Sequence, residues 1–201
     1  MSRTIDGVTA WPLRTAPKDV GVAAVVLVAL ALGLLLRYGV EGRMKTVSSA
    51  EPKVDISYPA NWRVSRPISG TLMRVENPQT ASTYKTNVTV ESRELDPASP
   101  PTLQELVDRR VAQHGSLEGY HFLSNSERTV NGNRAANLEY AFVVQPIDTP
   151  RSASLPVVVH SREYIVVTKD RTYYLTLAAP ENDFARVASQ FDGMVETARL
   201  P

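Results

Sequence analysis

Seventeen consecutive residues, Val20 to Leu36 (VGVAAVVLVALALGLLL), carry no charge and no side-chain hydrogen-bonding group. As a helix rising about 1.5 Å per residue, the run spans roughly 25 Å, a little less than the hydrocarbon thickness of a bilayer; local thinning and snorkelling end residues accommodate the difference. A helix that is apolar on every side belongs in a protein core or in a membrane, and charges at both ends of this run favour the membrane. The expectation is a single-span anchor over residues 20–38, a tail over 1–19, a linker over 39–52 and one soluble domain over 53–201. A cleaved signal peptide is the rival, but its apolar part is about 7 to 15 residues with a small-residue cleavage site close behind. Here Arg37, Arg43 and Lys45 intervene before Ser48-Ser49-Ala50.

The flanks fit the same reading. Pro17 suits a first helical turn, Trp11, Lys18, Arg37 and Tyr38 are placed to meet the headgroup levels, and Ala29 with Gly33 forms a small-xxx-small pair that would let a second helix approach. Arg3, Arg14 and Lys18 before the run nearly balance Arg37, Arg43, Lys45 and Lys53 after it. Charge bias therefore orients the span only slightly, and a signal-anchor arrangement would leave the large domain extracytoplasmic, periplasmic or lumenal. From Lys53 to Pro201, sixteen Lys and Arg meet seventeen Asp and Glu, a balance that argues against nucleic acid as a partner. The chain has no cysteine, which removes a lipoprotein anchor, a disulfide framework and every thiolate metal site.

The soluble part opens with strand signals: Val54–Tyr58, Trp62–Ser65 after the Pro59-Ala60-Asn61 turn, Thr71–Glu76, and Thr86–Leu95. Prolines 97, 100 and 101 then announce a helix, for which Thr102 and Glu105 form a capping box. Leu103, Leu106, Val107 and Val111 give it one apolar face, and Gly115 is placed to end it. Tyr120–Val130 and Asn133–Gln145 flank Asn131-Gly132, the pair that most readily supplies two positive φ angles, so a tight hairpin is expected with one buried face in its second arm. After an irregular Gln145–Pro156 excursion, Val157–Thr168 and Thr172–Ala179 form another hairpin. A last amphipathic helix, capped by Asn182, presents Phe184, Val187, Ala188, Phe191 and Val195. Two helices bracketing a mainly antiparallel sheet make an α+β sandwich.

This order of elements, with Ile56-Ser57-Tyr58-Pro59-Ala60-Asn61-Trp62, the Asn131–Tyr140 hairpin sequence NGNRAANLEY, and Tyr173–Pro180 leading into a helix through Phe184 and Phe191, resembles the PsbP-like family over roughly 54–197. The family's namesake is an extrinsic subunit of photosystem II, and its fold also serves a nuclear-transport factor. The resemblance implies a PsbP-like sandwich and a non-catalytic role: an accessory or assembly subunit of a membrane complex, or a small binding module. It carries over no cofactor, metal or catalytic residue, and the chain departs from it by bringing its own helix.

Chemistry has few footholds. His114, His121 and His160 lack the spacing that sets two ligands on one helix face, and surface or capping roles are expected for them. No Gly-x-Ser-x-Gly turn, phosphate loop, zincin motif or calcium loop is present, and a triad of His114 and Ser116 with Asp108 or Glu118 has only composition behind it. Asn87-Val88-Thr89 fits a glycosylation sequon, but inside a strand. Trp62 is expected in the core rather than at an interface. The proline-stiffened 145–156 loop, with Ile147 and Leu155, is the expected partner contact. The combined expectation is a single-pass membrane protein, in contact with the bilayer and with integral membrane subunits of a photosynthetic or respiratory electron-transfer complex. A tethered small-molecule or lipid-binding protein and an unrecognised hydrolase are the alternatives.

Overall fold

The computed structural model describes residues 4–5, 8–9, 17–41, 43–145 and 155–201, with side chains over 20–33, 43–145 and 155–201. The chain divides into two compact units, Met1–Arg43 and Met44–Pro201.

In the first unit a short antiparallel pair, β1 (Thr4–Ile5) and β2 (Val8–Thr9), precedes helix α1 (Pro17–Glu41). Every described side chain of α1, from Val20 to Gly33, is exposed. Among the described residues no helix is long and apolar enough to cross a membrane. The anchor expected over 20–38 is not supported by this finding. Ala29 and Gly33 are both exposed, and a Cβ on Gly33 would have nothing within 4 Å. Trp11 and Ile147 lie outside the described residues, as do the side chains of Lys18, Arg37 and Tyr38.

The second unit begins inside the stretch expected to be linker. Met44–Ser49 is a strand, β3, paired antiparallel with β4 (Val54–Pro59) from Met44↔Pro59 to Ser49↔Val54. Its sequence, MKTVSS, is short and mostly polar, and only Val47 packs on the core; pairing with β4 makes it a strand, not an apolar pattern of its own. The main sheet has seven strands: β5 (Arg63–Ser65), β6 (Met73–Glu76), β7 (Asn87–Glu94), β8 (His121–Val130), β9 (Asn133–Val144), β10 (Val157–Val167) and β11 (Arg171–Pro180). They run β5-β6-β7-β11-β10-β9-β8 across the sheet, every pairing antiparallel. The turn at Asn131-Gly132 has φ of 50° and 79°, the two left-handed positions its composition implies.

Helix α2 (Leu103–His114) covers one face of this sheet and α3 (Glu181–Thr197), with β4, the other. The capping box of α2 is present: Glu105 N–H donates to Thr102 Oγ1 at 3.2 Å, and Thr102 N–H donates to Glu105 Oε2 at 2.8 Å. Helix α3 starts without the expected cap, since β11 runs straight into it at Pro180 with no side-chain cap bond, and Glu181 and Asp183 supply negative charge to its first turn. Beneath α3 and β4 lies the main core of Ile56, Trp62, Tyr173, Leu177, Phe191 and Met194; beneath α2 a smaller one joins Leu103, Leu106 and Val107 to Ala136, Ile165 and Tyr174. Because both faces are covered, β9 is buried on both: Ala135 and Asn137 are as hidden as Ala136 and Leu138, against the expectation of one buried face. Trp62 is a core residue, and Asn87 is buried with its amide donating to the Lys85 carbonyl at 2.9 Å, which leaves no room for a glycan.

Candidate functional site

Strand alternation sends neighbouring residues of β10 to opposite faces, and two of them, Arg162 and Glu163, each anchor a helix. Glu163 is completely buried under α2 and directly opposite Thr176 of β11. Arg110, on the apolar face of α2, donates from Nε to Glu163 Oε1 and Oε2 at 3.2 and 3.1 Å, and from Nη1 to Glu91 Oε2 at 3.2 Å and Gln113 Oε1 at 3.0 Å. Thr176 Oγ1 donates to Glu163 at 2.8 Å, and His114 Nε2 lies 3.3 Å from its other oxygen. The aromatic walls complete the box: the Arg110 guanidinium lies 4.3 Å over the ring of Tyr174, and His114 stacks on Tyr140 at 4.3 Å.

Burial alone pushes the Glu163 carboxyl up, but hydrogen bonds from His114 and Arg110, with the charge of Arg110, outweigh it and bring it to about 2. Burial likewise works against the Arg110 charge, and Glu163 and Glu91 overcome it and hold the guanidinium protonated. The ionised Glu163 and protonated Arg110, each held by the other, tie α2 to the sheet as a buried clamp. On the opposite face Arg162 bonds Asp192 of α3 at 2.8 Å and Glu139 at 2.8 Å, and Asp192 also accepts from the Tyr164 hydroxyl at 2.9 Å. His160 lies between Glu139 and Glu181 at 3.5 and 3.3 Å and stacks on Phe184.

These pairings separate the groups from which a triad might be drawn. His114 faces Glu163, whereas Asp108 accepts from Gln104 and Ser116 donates to the Gln113 carbonyl. His114 and His160 sit on opposite faces, and among the described residues no cluster of His, Asp and Glu is arranged to hold a metal. The clamp left one trace in the sequence: Arg110 and His114 fall on the same helical face as Leu103, Leu106 and Val107, where polar residues need buried partners.

The accessible apolar surface gathers elsewhere. Strand β8 is the long edge of the sheet, and nine of its ten residues are exposed. Its outer half carries Glu127 and Arg128, and its register slips between Phe122 and Ser124; charge and a bulge both guard an edge against open-ended pairing. At the bulge itself Phe122 and Leu123 expose apolar side chains. Phe122 pairs with Tyr140 on β9, on the face that α2 covers, whereas Val143, three residues further and so on the opposite face, pairs with exposed Val158 of β10; the two exposed side chains lie at one corner of the sheet but on opposite faces. Leu155, 85% exposed, leads into β10 at that corner. Of the two expected partner contacts, Leu155 is thus exposed, and Ile147 falls among the residues not described; Phe122, Leu123 and Val158 had not been singled out.

Against solved structures, the chain is similar to cyanobacterial PsbP (CyanoP) from Synechocystis sp. PCC 6803, with a TM-score of 0.59 and 14% identity over 79% of this chain and 92% of that one. It is similar also to LpqN, involved in cell envelope biogenesis of Mycobacterium tuberculosis, with a TM-score of 0.55 and 12% identity over 78% and 89%. The fold is PsbP-like. No family model and no curated protein matches the sequence. The resemblance expected from residues 54–197 therefore stands for the fold of the second unit, and identities this low say nothing further about activity.

Proposed function

We propose that this chain is a non-catalytic, single-pass membrane accessory or assembly subunit whose PsbP-like domain docks on integral membrane subunits of a larger complex. The observation that carries the reading is the β8 corner, where Phe122 and Leu123 at the bulge and Leu155 ahead of β10 expose apolar side chains, on an edge whose other half carries Glu127 and Arg128. A membrane partner is favoured because α1 is apolar on all sides, with every described side chain from Val20 to Gly33 exposed, and the sequence run continues to Leu36. Only Gly42 and Arg43 separate α1 from β3, so the anchor would confine the domain near the membrane and raise its effective concentration toward membrane partners. In this reading Lys18, Arg37, Tyr38 and Trp11 meet the headgroups, Ala29 and Gly33 offer a packing face, and the domain is extracytoplasmic. Likeness to cyanobacterial PsbP makes an electron-transfer membrane, photosynthetic or respiratory, the first place to look.

Two experiments test this. Retention of the chain in membranes through an alkaline wash, and its release when residues 20–36 are deleted, checks the anchor; release of the intact chain refutes it. Mild-detergent extraction followed by size separation checks the subunit. The wild type is expected in fixed ratio with a large complex and Phe122→Asp/Leu123→Asp on its own with an unchanged melting curve. A wild type that migrates alone, or a variant that stays with the complex, refutes the docking.

A further inference from the structure

We infer that the cleft between α2 and the outer ends of β7 and β11 is a binding site for a phosphate group. The cleft has a volume of about 370 Å³ and is lined by Arg93, Arg109, Thr172 and Tyr174 among others. Thr172 pairs directly with Arg93 across the β11–β7 ladder, so the two share the face on which Tyr174 packs against α2. Arg109 adds a second guanidinium from the helix. Neither Arg93 nor Arg109 has a carboxylate partner among the described residues, and Arg93 lies 5.7 Å over the Tyr174 ring. Thr172 is 1% exposed, yet its hydroxyl has no hydrogen-bond partner. A buried unpaired hydroxyl costs free energy that a bound acceptor would recover.

Of the two acidic residues of the cleft, Glu94 is paired with Arg171, while Asp96, which accepts from Ala98 N–H at 2.9 Å, keeps one negative charge against the two arginines; the third arginine, Arg110, is committed to Glu163 and Glu91. What the cleft offers is two exposed arginines without a carboxylate partner among the described residues, one from the sheet and one from the helix, and the unpaired hydroxyl of Thr172 in its wall. A tetrahedral oxyanion offers acceptors in three directions and matches that set; a planar carboxylate offers two. The phosphate can belong to a soluble monoester or to a lipid headgroup. This site stands apart from the docking corner, and neither depends on the other.

The test is a calorimetric titration of the full chain, in non-ionic detergent, with inorganic phosphate. One saturable site is expected. Arg93→Gln and Arg109→Gln should each weaken it about tenfold, as loss of a charge-assisted hydrogen bond does, and Thr172→Val should weaken it several-fold. Arg186→Gln, which removes an exposed arginine paired with Asp183 on α3, should leave it unchanged. Melting curves matching the wild type establish that the variants are folded. Tighter binding of dihexanoyl phosphatidic acid than of glycerol 3-phosphate assigns the site to a lipid headgroup; equal binding assigns it to a soluble monoester. Absence of a saturable site, or equal weakening by Arg186→Gln, overturns the assignment.

Discussion

Replacing Glu163 with Gln removes the only completely buried charge in the clamp and leaves Arg110 to Glu91 alone. The magnitude follows from linkage. The carboxyl falls from an ordinary 4.5 to about 2 in the folded protein, which at about 1.4 kcal/mol per tenfold amounts to roughly 3 kcal/mol of stability from its ionisation. The folded value is depressed, so this contribution is complete above the unfolded value and is lost as pH falls toward the folded one. At neutral pH the variant should therefore be about 3 kcal/mol less stable than the wild type, in line with other broken buried pairs. By pH 3, between the two values, the same relation leaves about 1 kcal/mol. Urea unfolding of both proteins at pH 7 and pH 3 measures the difference, and carboxylates common to both cancel in it. A gap that is the same at both pH values would refute the reasoning, as would a variant as stable as the wild type at pH 7. In either case Glu163 is not the paired, ionised group its partners imply.

Other substitutions probe the fold one element at a time. Phe191→Ala, in the core under α3, should cost about 3 to 5 kcal/mol in the same unfolding assay. Gly119→Ala should cost on the order of 1 to 3 kcal/mol, because Gly119 has a φ of +61° and a Cβ there would come within 2.9 Å of Val143 Cγ2. Thr102→Ala removes one half of the capping box and should lower stability by about 1 kcal/mol, with earlier amide exchange in the first turn of α2. Asn87→Gln should change the mass of the protein only by its one added methylene, with no loss of a glycan, since the buried Asn87 side chain has no access to one.

What the sequence disclosed was local. Thr102 and Glu105 act within one helical turn, and Asn131-Gly132 within one hairpin, so residue type alone specifies the backbone there. The period of α2 also disclosed its buried face, including Leu106 and Val107. What stayed hidden depends on partners far along the chain. Met44–Ser49 has no strand pattern of its own and is ordered by β4. Arg110 and Glu163 are 53 residues apart, and nothing short of the fold pairs them. Asn182 looked like a cap because a cap residue normally precedes a helix, whereas β11 passes into α3 without a loop. That exposed Phe122 and Leu123 lie at the same end of the sheet as Leu155, ahead of β10, is likewise set by strand order.

The measurement that tests the central claim most directly is site-specific photocrosslinking in native membranes. A photoreactive residue is placed in the full chain at Phe122, Leu123 or Leu155 in turn, and at Gln104 and Arg186 as exposed positions on the two helices that cover the sheet. The account predicts a crosslink to the same integral membrane protein from the three corner positions and none from the helix positions. Crosslinks from the helix positions alone, or none from the corner, would contradict it.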